Sequence, residues 1–190
     1  GGFSGGLTIE KDPGEKFLTE NHSLPDFLSA YLVYNGNGLV RRLIVGDYSA
    51  RFGQGTNINT GIRTGLTLTA PGYMSASNET RPYTSTDENN FFRGVAAEFS
   101  VKNLGVSLFY SKNDIDATLG SSSGSSNDYI QTFYSSGLHN TSSSLLKKDV
   151  ISELVYGINL SYNFNNIRVG LTWSGDRFSL PVNPTGNDPA

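Results

Sequence analysis

The stretch of sequence that decides the fold is LVYGINLSYNF, residues 154–164. Its even-numbered residues are large and apolar or aromatic, whereas its odd-numbered residues are mostly Gly, Asn or Ser. The next run repeats the pattern, because Ile167, Val169, Leu171 and Trp173 alternate with Arg, Gly and Thr. Side chains of a β-strand point to opposite faces with a period of two. Each run therefore predicts a strand with one apolar face and one polar or small one.

The same reading along the chain predicts seven strands. They are expected at Phe3–Glu10, Phe27–Tyr34, Leu39–Ser49, Phe91–Val101, Leu104–Lys112, Val150–Phe164 and Ile167–Asp176. Three connections are short and rich in Asn and Gly, which accept the positive φ of hairpin turns: residues 35–38, 102–103 and 165–166. The other connections, residues 11–26, 50–90 and 113–149, are long.

Short turns at one end of the strands and long loops at the other are typical of the periplasmic and extracellular sides of a bacterial barrel. We therefore predict an all-β fold, an antiparallel up-and-down meander that is part of a transmembrane outer-membrane β-barrel. In such a barrel the apolar faces point at lipid. The alternative is a soluble β-sandwich, in which the same faces would pack against a second sheet.

Composition permits the barrel and narrows the functional classes. Only 36% of the residues are hydrophobic and 22 are Gly, and the mean hydropathy is −0.30. Barrels need apolar residues only at alternate positions, so this average does not oppose membrane insertion. No run of about 18 apolar residues predicts a membrane helix. Without Cys there is no disulfide framework, and the net charge of −3 argues against nucleic-acid binding by this segment.

An odd number of strands suggests a larger barrel. Seven antiparallel strands would force two parallel neighbours at closure, and single-chain bacterial barrels have even numbers. Either one of the long loops contains a further strand, at Tyr129–Tyr134 or Ile58–Leu68, or the remainder of the barrel lies outside these 190 residues. No leader pattern is present at the first residues and the tail from Leu180 is rich in turn residues. We expect residues 1–190 to be a single β-barrel region and a fragment of a larger barrel.

The aromatic residues predict two girdles at the membrane boundaries. Tyr34, Tyr162 and Phe164 fall beside the short turns, and Phe91, Tyr110 and Trp173 near the long loops. General enrichment of aromatics in strands is the alternative explanation.

Two runs resemble a family of bacterial outer-membrane proteins. They are residues 45–55 (VGDYSARFGQG) and 81–96 (RPYTSTDENNFFRGVA). They are similar to the β-rich region of proteins that carry ComEA-like helix-hairpin-helix repeats. Shorter runs at 109–112, 115–117, 136–139 and from Leu171 extend the resemblance over most of 39–182. The repeats themselves are missing from this sequence, so the resemblance implies an outer-membrane location and a barrel, with DNA binding left to any attached repeat region.

Charged residues on the polar faces are the first candidate site. By strand parity we expect a charge network in the barrel lumen, formed by Asp47, Arg51, Glu98, Glu153 and Arg168. Such a network would plug or polarise a pore, or simply neutralise itself in a filled interior.

A loop motif before the fourth strand is the second candidate. It comprises Arg81, Tyr83, Asp87, Glu88 and Asn89. The Asp, Glu and Asn oxygens suit calcium, but side-chain-to-backbone turns that lock a loop over the barrel mouth are favoured. Residues 53–55 (GQG) have no following helix pattern and so do not predict a phosphate site.

Catalysis has little support in the sequence. His139 lies in a Ser-rich stretch near Ser136, Ser142 and Asp149, but nothing fixes their spatial roles. We predict a non-enzymatic protein of the bacterial outer membrane with no catalytic residue, metal or cofactor. Its expected partners are the lipid bilayer and other envelope proteins, in a structural, solute-passage or partner-binding role. The alternative function is that of a soluble β-sandwich ligand-binding module.

Overall fold

The computed structural model describes residues 1–10, 27–60, 79–86, 90–121, 128–133 and 142–182. All seven expected strands are present within this part of the chain: β1 Gly2–Glu10, β2 Phe27–Asn35, β3 Val40–Phe52, β6 Phe92–Val101, β7 Leu104–Ile115, β10 Ile151–Phe164 and β11 Ile167–Phe178. Four short strands lie in the connections expected to be long: β4 Ile58–Asn59, β5 Glu79–Pro82, β8 Ala117–Ser121 and β9 Asp128–Phe133.

The seven long strands form one sheet, which we call the main sheet. Its order is β1-β2-β3-β6-β7-β10-β11 and every neighbouring pair is antiparallel. The all-β, antiparallel, up-and-down prediction is thus confirmed. The ends of the sheet are β1 and β11, and no pairing between them occurs among the described residues. A closed barrel is not seen in this part of the chain.

The short turns join the hairpins as the sequence predicts, but of the Asn and Gly residues in these turns only Asn165 has the expected positive φ. Lys102, at φ 53°, and Asn165, at φ 49°, take the left-handed conformation of tight turns. Expected strands inside the loops are found in part. The expected strand at 129–134 is β9, which pairs with β8 in a separate hairpin. Of the expected strand at 58–68, only β4 lies within the described residues.

The main departure from the sequence prediction concerns β3. It runs past Ser49 to Phe52, and its last residues leave the main sheet. Gly46 makes this possible, because its φ of 104° is rarely adopted by other residues and a Cβ there would collide with the carbonyl oxygen of Ala30. Beyond this point residues 48–52 pair with β5 on one side and with β4 on the other. We call residues 48–52, β4 and β5 together the inner strands.

The inner strands lie across one face of the main sheet, which we call the inner face. The Phe52 ring stacks on that of Phe109 in β7, with centroids 5.2 Å apart. The Ser174 hydroxyl of β11 donates to Asn57 Oδ1 at 3.2 Å, just before β4. The core is therefore built between the inner strands and the inner face. Its buried members are Val33, Ile44, Tyr48, Ala50, Phe52, Phe92, Ala96, Phe109 and Val155.

Helical structure is minor in the described residues. It consists of a 3-10 turn at Gly53–Gly55 and of α1, the four residues Ser142–Leu145. None of the described helices is long and apolar enough to span a lipid bilayer.

Candidate functional site

The outer face of the main sheet, opposite the inner strands, carries an apolar band. One row crosses all seven strands in register: Phe3, Tyr34, Leu43, Ala97, Leu108, Ile158 and Trp173. A second row beside it reads Gly5, Leu32, Val45, Val95, Tyr110, Tyr156 and Gly175. Neither row contains a charged side chain.

These outer side chains have no protein layer over them among the described residues. Trp173 is 57% exposed, Val169 63% and Leu171 66%. Single exposed apolar residues are common on soluble proteins, but a contiguous patch this wide marks a membrane or protein interface.

The band ends at a row of charges on the side of the long loops. Asp47 lies opposite Arg93, and Leu154 lies between Lys112 and Arg177. From Leu154 to Phe164 there are ten residue steps, about 33 Å at about 3.3 Å each. At a strand tilt of about 40° this spans about 25 Å, the height of the apolar band of outer-membrane barrels.

Of the six aromatic residues predicted for the two girdles, five lie on the outer face, but Tyr34 and Trp173, predicted for opposite girdles, fall in the same cross-strand row. Tyr162 and Phe164 lie on the outer face beside the short turns and are 47% and 60% exposed. Tyr110 and Trp173 lie on the same face toward the charged row. The prediction for Phe91 is wrong, because this ring is buried against Phe27 and Tyr83, with the Phe27 centroid at 5.7 Å.

On the inner face a clamp holds β5. Thr80 is fully buried, and both its N–H and its hydroxyl donate to Glu98 Oε1, at 2.8 and 2.6 Å. Arg42, directly opposite Glu98 in the sheet, donates from Nη1 to the Thr80 carbonyl oxygen. Hydrogen bonds to charged groups are stronger than neutral ones. Arg42 and Glu98 together thus bind three polar groups of Thr80: its N–H, its hydroxyl and its carbonyl oxygen.

A cavity of about 320 Å³ lies between the inner strands and the far end of the sheet. Its lining residues are Asn57, Ile58, Asn59, Thr60, Phe92, Glu153, Val155, Ser174, Gly175 and Asp176. Glu153 lies one residue beyond Leu154 on the loop side of the apolar band. Burial, and next the charge of Asp176, raise the pKa of the Glu153 carboxyl. The lining offers amides, hydroxyls and carboxylates, which suit water or a small polar solute.

The structure places the five residues of the predicted lumen network on several different elements of the fold. Glu98 contacts the inner strands, Arg51 lies on them opposite Asn59, and Glu153 lines the cavity. Arg168 donates from Nε to Asn163 Oδ1 beside a short turn, at 2.8 Å. Asp47 takes the parity of the outer face, where Arg93 donates to it at 2.8 Å.

The predicted loop motif lies only partly within the described residues. Arg81 forms an exposed ion pair with Glu79 at 2.8 Å. Tyr83 is buried, with its ring centroid 5.0 Å from that of Phe91. The predictions for Asp87, Glu88 and Asn89, and those for Ser136 and His139, fall outside the described residues. Residues 53–55 form the turn that joins the inner strands.

Sequence reasoning missed Arg42, Thr80 and Arg93. No group of three or more potential metal-ligating residues occurs in the part of the chain that the structure describes. Searches against protein-family models, curated proteins and solved structures find no match to the chain.

Proposed function

We propose that this chain is a non-enzymatic segment of a β-barrel of the bacterial outer membrane. The observation that carries the proposal is the outer face, where two apolar rows cross seven strands with no covering layer among the described residues. In water such a surface would drive association, whereas in hydrocarbon it is the favoured state. The outer-membrane location also agrees with the resemblance to the β-rich region of ComEA-like helix-hairpin-helix proteins.

The inner strands favour a structural or partner-binding role over a wide pore. They cover the inner face with Tyr48, Ala50 and Phe52, which are almost fully buried. Polar contacts such as the one between Thr80 and Glu98 then anchor this filling. A segment packed this way supports the barrel wall and restricts solute passage to the size of the remaining cavity.

Fractionation and electrophoretic mobility test the membrane assignment. We expect the native protein to sediment with outer membranes after a carbonate wash and to migrate faster unheated than boiled. A protein that is monomeric in water without detergent would contradict the assignment and favour the soluble ligand-binding module.

Conductance tests the filled interior. Reconstituted in planar bilayers, the native protein should show no large open channel. Stable porin-like conductance would contradict a wall segment whose interior is filled.

A further inference from the structure

Within the described residues the main sheet is split between β2 and β3. β2 pairs with β3 only from Tyr31 to Asn35, although β2 itself begins at Phe27. β3 keeps its pairing with β6 as far as Tyr48, where β5 joins it in place of β2. We call the split between residues 27–30 of β2 and residues 47–48 of β3 the seam. It arises because β3 turns toward the inner face after Gly46.

Two side chains replace the missing strand pairing at the seam. Asp47 Oδ2 accepts a hydrogen bond from the Ala30 N–H at 3.3 Å. Arg93 Nη2 donates to the Leu28 carbonyl oxygen at 2.9 Å. Arg93 also donates to Asp47 twice, from Nε at 2.8 Å and from Nη2 at 3.0 Å. The ion pair therefore satisfies backbone groups of β2 that would otherwise face hydrocarbon, where unpaired backbone is costly.

Apart from this ion pair the surroundings of the seam are mostly apolar. On the outer side Leu28 and Leu32 are 42% and 54% exposed. Toward the loops the rings of Phe27, Tyr83 and Phe91 form a cluster. On the inner side Ser29 is buried, and its hydroxyl has no hydrogen-bond partner among the described residues. A buried hydroxyl without a protein partner indicates a place where water or another polar group is expected.

We propose that the seam is a side gate, through which an apolar or amphipathic molecule dissolved in the bilayer reaches the interior. The Asp47–Arg93 pair is its latch. Strand pairing opens only by breaking a ladder of backbone bonds, whereas this latch opens by movement of two side chains. The apolar surroundings fit a hydrocarbon-like ligand, and the ion pair with Ser29 fits a polar head. The inference rests on the proposed membrane role.

Photolabelling from within the bilayer tests the gate. The full chain is reconstituted in phosphatidylcholine vesicles that contain an iodophenyl diazirine, which labels residues in contact with hydrocarbon on illumination. Labelled residues are located by mass spectrometry in the native protein, in Asp47→Asn and Arg93→Lys, and in the exchanged variant D47R/R93D. Unheated mobility on gels shows which variants fold.

A gate predicts a specific pattern of labelling. Val169 and Leu171 should be labelled in every folded variant. Tyr48 and Phe92, behind the seam, should gain label at least fivefold in Asp47→Asn or Arg93→Lys, and the exchanged pair should return it toward the native level. Phe109, covered by Phe52, should stay unlabelled throughout.

The outcomes separate the gate from the membrane role. Absence of label at Val169 and Leu171 would contradict the membrane proposal itself. If Val169 and Leu171 are labelled but the labelling of Tyr48 and Phe92 is the same in the variants as in the native protein, the gate is contradicted and the membrane role is not.

Hydrogen exchange tests the gate in the native protein, so the result does not depend on whether a variant folds. The N–H groups of Ala30 and Leu32 point to the same side of β2, but only that of Leu32 lies within the pairing with β3. The gate predicts exchange at Ala30 at least tenfold faster than at Leu32. Equal exchange would overturn it.

Discussion

The two faces of the main sheet differ in what covers them more than in how apolar they are. The inner face contributes Ile44, Phe92 and Phe109 to a core closed by the inner strands. The outer face is at least as apolar along its rows, yet Leu171 and Trp173 are more than half exposed. Because the described inner strands cover only one face of the sheet, we expect the two faces to have different surroundings. Substitutions on each face test this difference.

The largest expected effect is loss of the inner packing. Phe52→Ala removes a fully buried ring that stacks on Phe109, and a truncation of this kind costs about 3–5 kcal/mol. The free energy of unfolding, measured by urea titration in lipid vesicles, should fall by that amount. The matched control is Phe164→Ala on the outer face, where we expect a loss of less than about half as much. Equal losses would mean that the inner strands do not form a core.

A charge at the middle of the outer face should have the next largest effect. Leu171 pairs with Leu160 near the centre of the apolar band. Leu171→Lys should therefore destabilise the inserted protein by about 2–4 kcal/mol. Gly170→Lys places the same charge one residue away with inner-face parity, and it should cost less than about 1 kcal/mol. Similar losses in the two variants would remove the distinction between the faces.

Loss of the clamp on β5 should lower the free energy of unfolding by less than either Phe52→Ala or Leu171→Lys. Thr80→Val keeps the shape of the side chain but removes the hydroxyl that donates to Glu98. We expect a loss of about 1–3 kcal/mol in the free energy of unfolding, because a buried charged acceptor loses a partner. Thr8→Val, at a partly buried residue of β1, is the control and should change stability by less than about 0.5 kcal/mol. A neutral Thr80→Val would show that the clamp does not hold the inner strands.

The smallest effect should be a pH dependence at the cavity. Because burial and Asp176 raise the folded-state pKa of Glu153, the ionised carboxyl opposes folding above that pKa. The contribution of Glu153 to the free energy of unfolding therefore becomes more favourable as the pH falls through its folded-state pKa. This contribution stops changing below its unfolded-state pKa. Glu153→Gln should thus be slightly more stable than the native protein at neutral pH and lose this advantage in mild acid. A difference in the free energy of unfolding between Glu153→Gln and the native protein that stays constant from pH 4 to pH 8 would contradict this prediction.

Local sequence was sufficient for the seven long strands and their order, and for the parity of strands such as β10 and β11. Alternation over 154–164 and 167–173 and the Asn-rich turns between strands are local signals, and the register of β10 with β11 follows from them. The turn toward the inner face at Gly46 was not predictable in this way. It depends on the close approach of the Ala30 carbonyl oxygen, which is a long-range contact.

The surroundings of the charged residues also depend on long-range contacts. Parity of β3 places Asp47 with Leu43 and Val45, and the sequence alone could not show that Arg93 lies opposite. One signal was available. Arg93 shares the apolar parity of Val95. Because a lone charge on an apolar face is costly, its presence there predicts an oppositely charged partner nearby. Thr80 carried no such signal, because only the inner pairing of β5 with β3 brings it to Glu98.

The most direct test of the central claim uses the single Trp of the chain, Trp173 on the outer face. Its fluorescence is recorded in vesicles whose acyl chains carry bromine. The variant W173F/F178W is the reference, since Phe178 packs against the buried residues Ala117, Ile130 and Ile151. We predict strong quenching of Trp173 by the brominated chains, little quenching by aqueous acrylamide, and weak quenching of the reference by bromine. Quenching of Trp173 by acrylamide with no effect of bromine would contradict an outer face that contacts lipid.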